Sequence, residues 1–85
     1  MRATHFSDAA WRDYVYWQAH DKQVVKKINS LIEATRRNPF EGIGKPEPLK
    51  GNLSGSWSRR IDGTNRLVYQ VSDEAIIVVS CRYHY

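Results

Sequence analysis

The chain has 85 residues, a formal net charge of +4 and a hydrophobic fraction of 41%, a size that admits one domain around one compact core. No apolar run approaches the length of a bilayer crossing, residues 1–6 lack the apolar segment of a secretion signal, and a single cysteine, Cys81, rules out an internal disulfide. A cytoplasmic location is expected, and the basic balance suits a polyanionic partner or an acidic protein as well as it suits a merely solvated surface.

Residues 3–6 have the makings of a short strand. Ser7 and Asp8 are both good helix N-caps ahead of a helix running to about His20. Trp11, Tyr14, Val15 and Gln18 share one of its faces, with Trp17 at the edge and Arg12 and Asp13 opening the polar side. An aromatic stripe of this kind reads as a face packed on a sheet. Asp21 is the expected N-cap of a second helix in which Val24, Val25, Ile28, Leu31, Ile32 and Thr35 recur at helical spacing, so the two helices form a hairpin. Lys22, Lys26 and Lys27 fall on its outer face. Asn38-Pro39 ends it, because a residue that precedes proline is pushed out of the helical region.

Residues 39–55 carry all three prolines and four of the five glycines and show no sustained period. A long irregular stretch in so small a domain is more often functional than a plain connector. From Trp57 the period becomes two. Residues 57–62 predict a strand ending at an Asp62-Gly63 turn, residues 66–71 the return strand, and Ser72-Asp73-Glu74 a turn into a third strand over 75–81. The run Ile76-Ile77-Val78-Val79 is apolar on both faces, as a covered central strand requires. The order is an N-terminal strand, a helical hairpin and a mainly antiparallel meander, an α+β domain with helices on one sheet face.

Polar residues that the fold does not obviously need lie in three places: Glu47 and Lys50 in the irregular stretch, Arg59, Arg60 and Arg66 on the first two meander strands, and Arg82-Tyr83-His84-Tyr85 at the end. Across the hairpin, Arg60 and Arg66 either grip a phosphate between two guanidinium forks or point to solvent and pair with a carboxylate such as Asp62 or Asp73. Glu47 is either a base held between Pro46 and Pro48 or a polar loop residue. His84 follows an apolar strand that can hold it in place, and histidine is the side chain best suited to exchange a proton near neutral pH. His5 and His20 read as incidental surface residues. Cleavage of RNA by its own 2′-hydroxyl needs a base, cations for the phosphorane charge and an acid for the leaving 5′-oxygen. Glu47, the arginines and His84 supply one of each, with no metal or other cofactor and no His/Cys or carboxylate cluster to hold one.

Taken in blocks, the chain resembles the YoeB toxins of bacterial toxin–antitoxin systems, within the wider RelE-like group. The blocks are Tyr14-Val15-Tyr16-Trp17, Thr35-Arg36-Arg37-Asn38-Pro39-Phe40-Glu41-Gly42, Gly44-Lys45-Pro46-Glu47-Pro48-Leu49-Lys50, Asn52-Leu53-Ser54-Gly55 with Trp57-Ser58-Arg59-Arg60-Ile61, Arg66-Leu67-Val68-Tyr69 and Cys81-Arg82-Tyr83-His84-Tyr85. The resemblance implies a microbial-ribonuclease-like fold and an mRNA interferase that cuts messages in the ribosomal decoding site. It implies Glu47 as general base, Arg66 as transition-state stabiliser, His84 as general acid, Tyr85 as a positioning group, and Lys50 and Arg60 as phosphate contacts. Lys22, Lys26 and Arg36 become expected ribosomal RNA contacts. It further implies a YefM-type antitoxin with an acidic C-terminal segment, operator DNA bound only as the toxin–antitoxin complex, and a homodimer as a theme of the group. The chain departs from the family where histidines are common, carrying Asn65 before Arg66 and Gly51 after Lys50. Two alternatives stand beside this reading: a gyrase-poisoning toxin of the same fold group, whose members lack a pair like Glu47 and His84, and a non-catalytic RNA- or antitoxin-binding module.

Overall fold

The computed structural model describes residues 1–83, so the expectations attached to His84 and Tyr85 lie outside the described residues. Side-chain caps set the helix ends. Ser7 is extended and its hydroxyl accepts the Ala10 amide at 3.0 Å, opening helix α1 (Asp8–His20). Asp21 closes α1 and opens α2 (Lys22–Arg37), its carboxylate accepting the amides of Gln23 and Val24. One extended residue between two helices folds them back as the predicted hairpin. Asn38 leaves the helical region ahead of Pro39 and ends α2.

Five strands, β1 (Ala3–Phe6), β2 (Glu47–Pro48), β3 (Trp57–Arg60), β4 (Arg66–Val71) and β5 (Ala75–Ser80), form one sheet in the order β1-β5-β4-β3-β2. β1 runs parallel to β5, and every other pairing is antiparallel. The expected meander is present, with β5 inside the sheet between β1 and β4. Two details differ from the sequence pattern. β2 is a two-residue strand inside the irregular stretch, too short to leave a period of its own. The β3–β4 connection is also longer than an Asp62-Gly63 turn: β3 stops at Arg60, and the Asp62 carboxylate accepts the amides of Thr64 at 2.8 Å and Asn65 at 2.7 Å. That side-chain-to-backbone turn takes up donors that a tight hairpin would have left to the ladder.

Both helices cover one sheet face. Ile28, Leu31 and Ile32 of α2 and Ala10 of α1 pack with Leu67, Tyr69, Ile76 and Val78, and Tyr14 and Trp17 lie partly buried against them. α2 buries its predicted stripe, with Val25 at the margin. α1 is rotated from its expected stripe. Trp11 and Val15 are 53% and 44% exposed, Gln18 is exposed, and Asp13 and Trp17 turn inward. The reason is polar. The Trp17 indole N–H donates to the Cys81 carbonyl at 2.8 Å, and Asp13 Oδ2 accepts the Cys81 amide at 2.9 Å. Trp11 instead joins a surface ring cluster with Phe6 and Tyr14.

The irregular stretch is tied down by Arg59, which is a fold element and not part of a surface cation site. Its side chain is wholly buried, with Nη2 donating to the carbonyls of Asn38 (2.6 Å) and Glu41 (2.9 Å), Nη1 to that of Ile43 (2.8 Å) and Nε to the Tyr69 hydroxyl (3.3 Å). Tyr69 passes its own proton toward the Pro39 carbonyl at 2.6 Å. Burial raises the Tyr69 phenol's pKa, partly offset by Arg59, so it stays a neutral donor. Gly44 sits at φ +81 with room for no Cβ: one would come within 2.7 Å of a Leu31 methyl.

Arg59→Ala is expected to destabilise the protein by about 3 kcal/mol or more, because buried carbonyls lose their donor and a cavity opens. Arg59→Lys should recover only part of that, since an ammonium lacks the fork that spans three carbonyls. Urea unfolding of the two variants measures both.

Candidate active site

Register puts the candidate residues on one surface. In β3, Trp57 and Arg59 face the helices, so Ser58 and Arg60 face away. Arg66 pairs directly with Arg60, Val68 with Ser58, and Glu47 of β2 with Ser58 from the other side. Glu47, Arg60 and Arg66 therefore share the sheet face turned away from the helices. The Glu47 carboxylate and the Arg66 guanidinium meet at 3.4 Å, the Arg66 side chain half-buried and that of Glu47 open to solvent. This is longer than the roughly 2.7–2.9 Å of a tight charge-assisted bond. Arg60 and Arg66 are like charges directly opposite each other in the ladder, which suits that part of the sheet face to an anion. Lys50 is exposed and lines, with Glu47, Pro48 and Leu49, a shallow recess of about 340 Å³. Glu47 thus pairs with Arg66, with Arg60 opposite Arg66 in the ladder and Lys50 lining the same recess as Glu47. Asp62, expected as a possible partner for these arginines, is turned into the β3–β4 loop and engaged with Thr64 and Asn65.

The chain approaches its end through this site. Cys81 is held on the α1 side by Asp13 and Trp17, and the Arg82 guanidinium lies over the Tyr16 ring, 3.4 Å from its centre. On the other side Tyr83 is held by the β3–β4 hairpin: its amide donates to Asn65 Oδ1 at 2.6 Å, and its carbonyl accepts the Arg66 amide at 2.9 Å. Sequence reasoning missed Asp13, Tyr16, Trp17 and Asn65 as parts of the site. Asp13, Tyr16 and Trp17 carry no chemical signature and Asn65 stands out only as a departure from the family; their contacts with Cys81, Arg82 and Tyr83 are what tie them to the segment leading to the site. The expected ribosomal RNA contacts separate. Lys22 and Lys26 are exposed on α2, whereas Arg36 is engaged with the Arg2 carbonyl and Glu33, both at 2.8 Å.

The Cys81 thiol is buried, and burial, with the nearby Asp13 charge, pushes its pKa up to about 12. It is a core side chain and not a nucleophile. At Asp62 burial works to raise the pKa, but hydrogen bonds from the Asn65 and Thr64 amides and the Asn65 side chain outweigh it, leaving the carboxyl below its ordinary value. Among the described residues no group of three or more His, Cys, Asp or Glu is placed to hold a metal ion, and no helix is long and apolar enough to cross a membrane.

Residues 6–85 match the family model described as the YoeB-like toxin of bacterial type II toxin–antitoxin systems. The chain belongs to that family. Toxin YoeB of Escherichia coli strain K12 is 62% identical to it over 80 residues, 94% of this chain and 95% of that protein. Among solved structures, the YoeB dimer from Staphylococcus aureus superposes with a TM-score of 0.92 at 53% identity, covering 99% of this chain and 98% of that one. The YoeB–YefM complex from the same organism gives 0.91 at 51% identity over 100% and 99%. The strand, helical hairpin and mixed sheet seen here are the fold of this family.

Two expected outcomes follow from the site. Cys81 in the folded protein should resist a thiol reagent at mildly alkaline pH and react only on unfolding, read by absorbance with and without urea. Asp62 has a depressed folded pKa, so its stabilisation is present above the ordinary carboxylate value and lost as pH falls through the lower folded value. Denaturation curves taken from neutral into strongly acidic buffer should therefore fall less steeply for Asp62→Asn.

Proposed function

We propose that the chain is a ribosome-dependent mRNA endoribonuclease, a toxin that arrests translation by cutting messages in the decoding site. The observation that carries this reading is the Glu47 carboxylate 3.4 Å from the Arg66 guanidinium, with Arg60 directly across the ladder. Glu47 takes the proton of the RNA 2′-hydroxyl, and the freed oxygen attacks the adjacent phosphorus. Arg66, with Arg60 and Lys50, holds the phosphate and stabilises the added negative charge of the phosphorane-like transition state. His84, one peptide bond beyond Tyr83, gives its proton to the departing 5′-oxygen, leaving a cyclic phosphate on one fragment and a hydroxyl on the other. Tyr85 positions the nucleotide or the leaving group. The scheme assigns no step to a metal ion or other cofactor.

The surroundings of the site support the same reading. Among the described residues it lies on a sheet surface with a shallow recess, a shape that suits a message presented by a larger partner such as the ribosome. Lys22 and Lys26 are then contacts for ribosomal RNA, each contributing a salt-sensitive attraction. Because the Staphylococcus aureus relative is seen with YefM and as a dimer, we assign this chain a YefM-type antitoxin, whose acidic segment complements the +4 charge, and a homodimeric form. Operator DNA is bound through the antitoxin complex. The place of action is the cytoplasm.

Glu47→Ala, Arg66→Ala and His84→Ala are each expected to lower cleavage of ribosome-bound message by about a hundredfold or more, the usual worth of a general acid, base or charge stabiliser, and to relieve growth arrest. Primer extension across the message after brief expression measures it, with circular dichroism to show that the variants fold. Unchanged cleavage in a folded variant would remove that residue from the mechanism. Growth arrest without new message ends would favour the gyrase or non-catalytic alternatives.

A further inference from the structure

The β3–β4 loop orients one side chain with unusual definition. Asn65 Nδ2 lies 3.1 Å from both oxygens of Asp62, and an ionised carboxylate only accepts hydrogen bonds, so the NH₂ end of the amide must face Asp62. The carbonyl end is thereby aimed away, where it accepts the Tyr83 amide at 2.6 Å. Asn65 is 7% exposed, which keeps water from competing for that bond. Tyr83 needs the help. Its φ is +62, a conformation unfavourable for any residue with a side chain, and the residue is 59% exposed, its ring touched by the Arg82 guanidinium, so burial does little to hold its backbone. The polar bracket of Asn65 Oδ1 on its amide and the Arg66 amide on its carbonyl keeps it there. Arg66 is also the partner of Glu47, so two consecutive residues connect the proposed base to the terminal segment.

We propose that Asn65 is a positioning residue of the site: its amide, locked by Asp62, holds the backbone of Tyr83, the residue before the proposed general acid, in the left-handed turn. The catalytic part of this statement rests on the function proposed above; the structural part does not. Asn65 touches no reacting atom and acts through Tyr83. Asp62, in turn, acts through Asn65.

The test uses the full chain. Amide hydrogen exchange at Tyr83, followed by nuclear magnetic resonance, reads the bracket directly, and steady-state cleavage of message on programmed ribosomes reads its consequence. Asn65→Ala should speed Tyr83 exchange about tenfold or more, the effect of losing one desolvated hydrogen bond, while β5 amides keep their protection. kcat should fall about tenfold to a hundredfold with KM nearly unchanged, as misplacement of a reacting group predicts. The double variant Asp62→Asn with Asn65→Asp exchanges donor and acceptor between the two residues and leaves an oxygen facing Tyr83, so it should restore both readouts. Asn65→Asp alone sets two carboxylates against each other and should not. If Asn65→Ala does not fold, the comparison of Asn65→Asp with the double variant decides the matter. Unchanged Tyr83 exchange in the single variants, or lost protection with full cleavage, would overturn the proposal. Absence of cleavage by the unsubstituted protein would instead sink the proposed function, and Tyr83 exchange would still decide whether Asn65 holds the segment.

Discussion

The buried guanidinium of Arg59 organises the half of the molecule that carries the candidate chemistry. A charge taken out of water must be compensated by well-aimed acceptors, and here the carbonyls of Asn38, Glu41 and Ile43 and the Tyr69 hydroxyl provide them. The carbonyls belong to the stretch that follows α2, which has no helix or strand period of its own. Satisfying one side chain therefore draws that stretch onto β3. Once Gly44 is packed against Leu31 and its carbonyl has accepted the Arg60 amide, the chain has little choice but to run alongside β3 as β2. Glu47 reaches the Arg66 guanidinium as a result.

The site is assembled from segments far apart in sequence, and each arrives by a different force. Arg60 and Arg66 are delivered by antiparallel register, Glu47 by the Arg59 anchor, and the segment leading to the chain's end by polar clasps from α1 and from the hairpin loop. The division of labour along β3 is strict. Alternation sends Arg59 to the helix side, where it is buried and structural, and Arg60 to the opposite side, where it stays exposed beside Arg66. Adjacent arginines thus hold unrelated roles because the period of a strand is two.

Polar groups also decide how α1 is turned. By apolar content, Trp11 and Val15 belong in the core, and they are left at the surface because Asp13 and Trp17 are both needed by Cys81. The domain accepts an exposed indole in exchange for a firmly held Cys81. The same economy explains Asn65, whose amide replaces packing as the means of holding an exposed Tyr83 in a disfavoured conformation.

The order of elements, the helix caps at Ser7 and Asp21, the stop at Asn38-Pro39, the central strand around Ile76-Val79 and the family itself were all legible in the sequence, because each depends on neighbours within a turn or on residue identity in blocks. Arg60 and Arg66 as a pair were legible too, since a hairpin brings its two strands together wherever its turn lies. What the sequence left open had long-range causes. Nothing local to Arg59 distinguishes it from Arg60 as a buried anchor, nothing in residues 39–55 announces β2, and the stripe of α1 points to the wrong residues until Cys81 is present to recruit Asp13 and Trp17. Glu47 could be named as a candidate base from its place between two prolines, but its approach to Arg66 exists only because a guanidinium more than ten residues away in the chain had to find its acceptors.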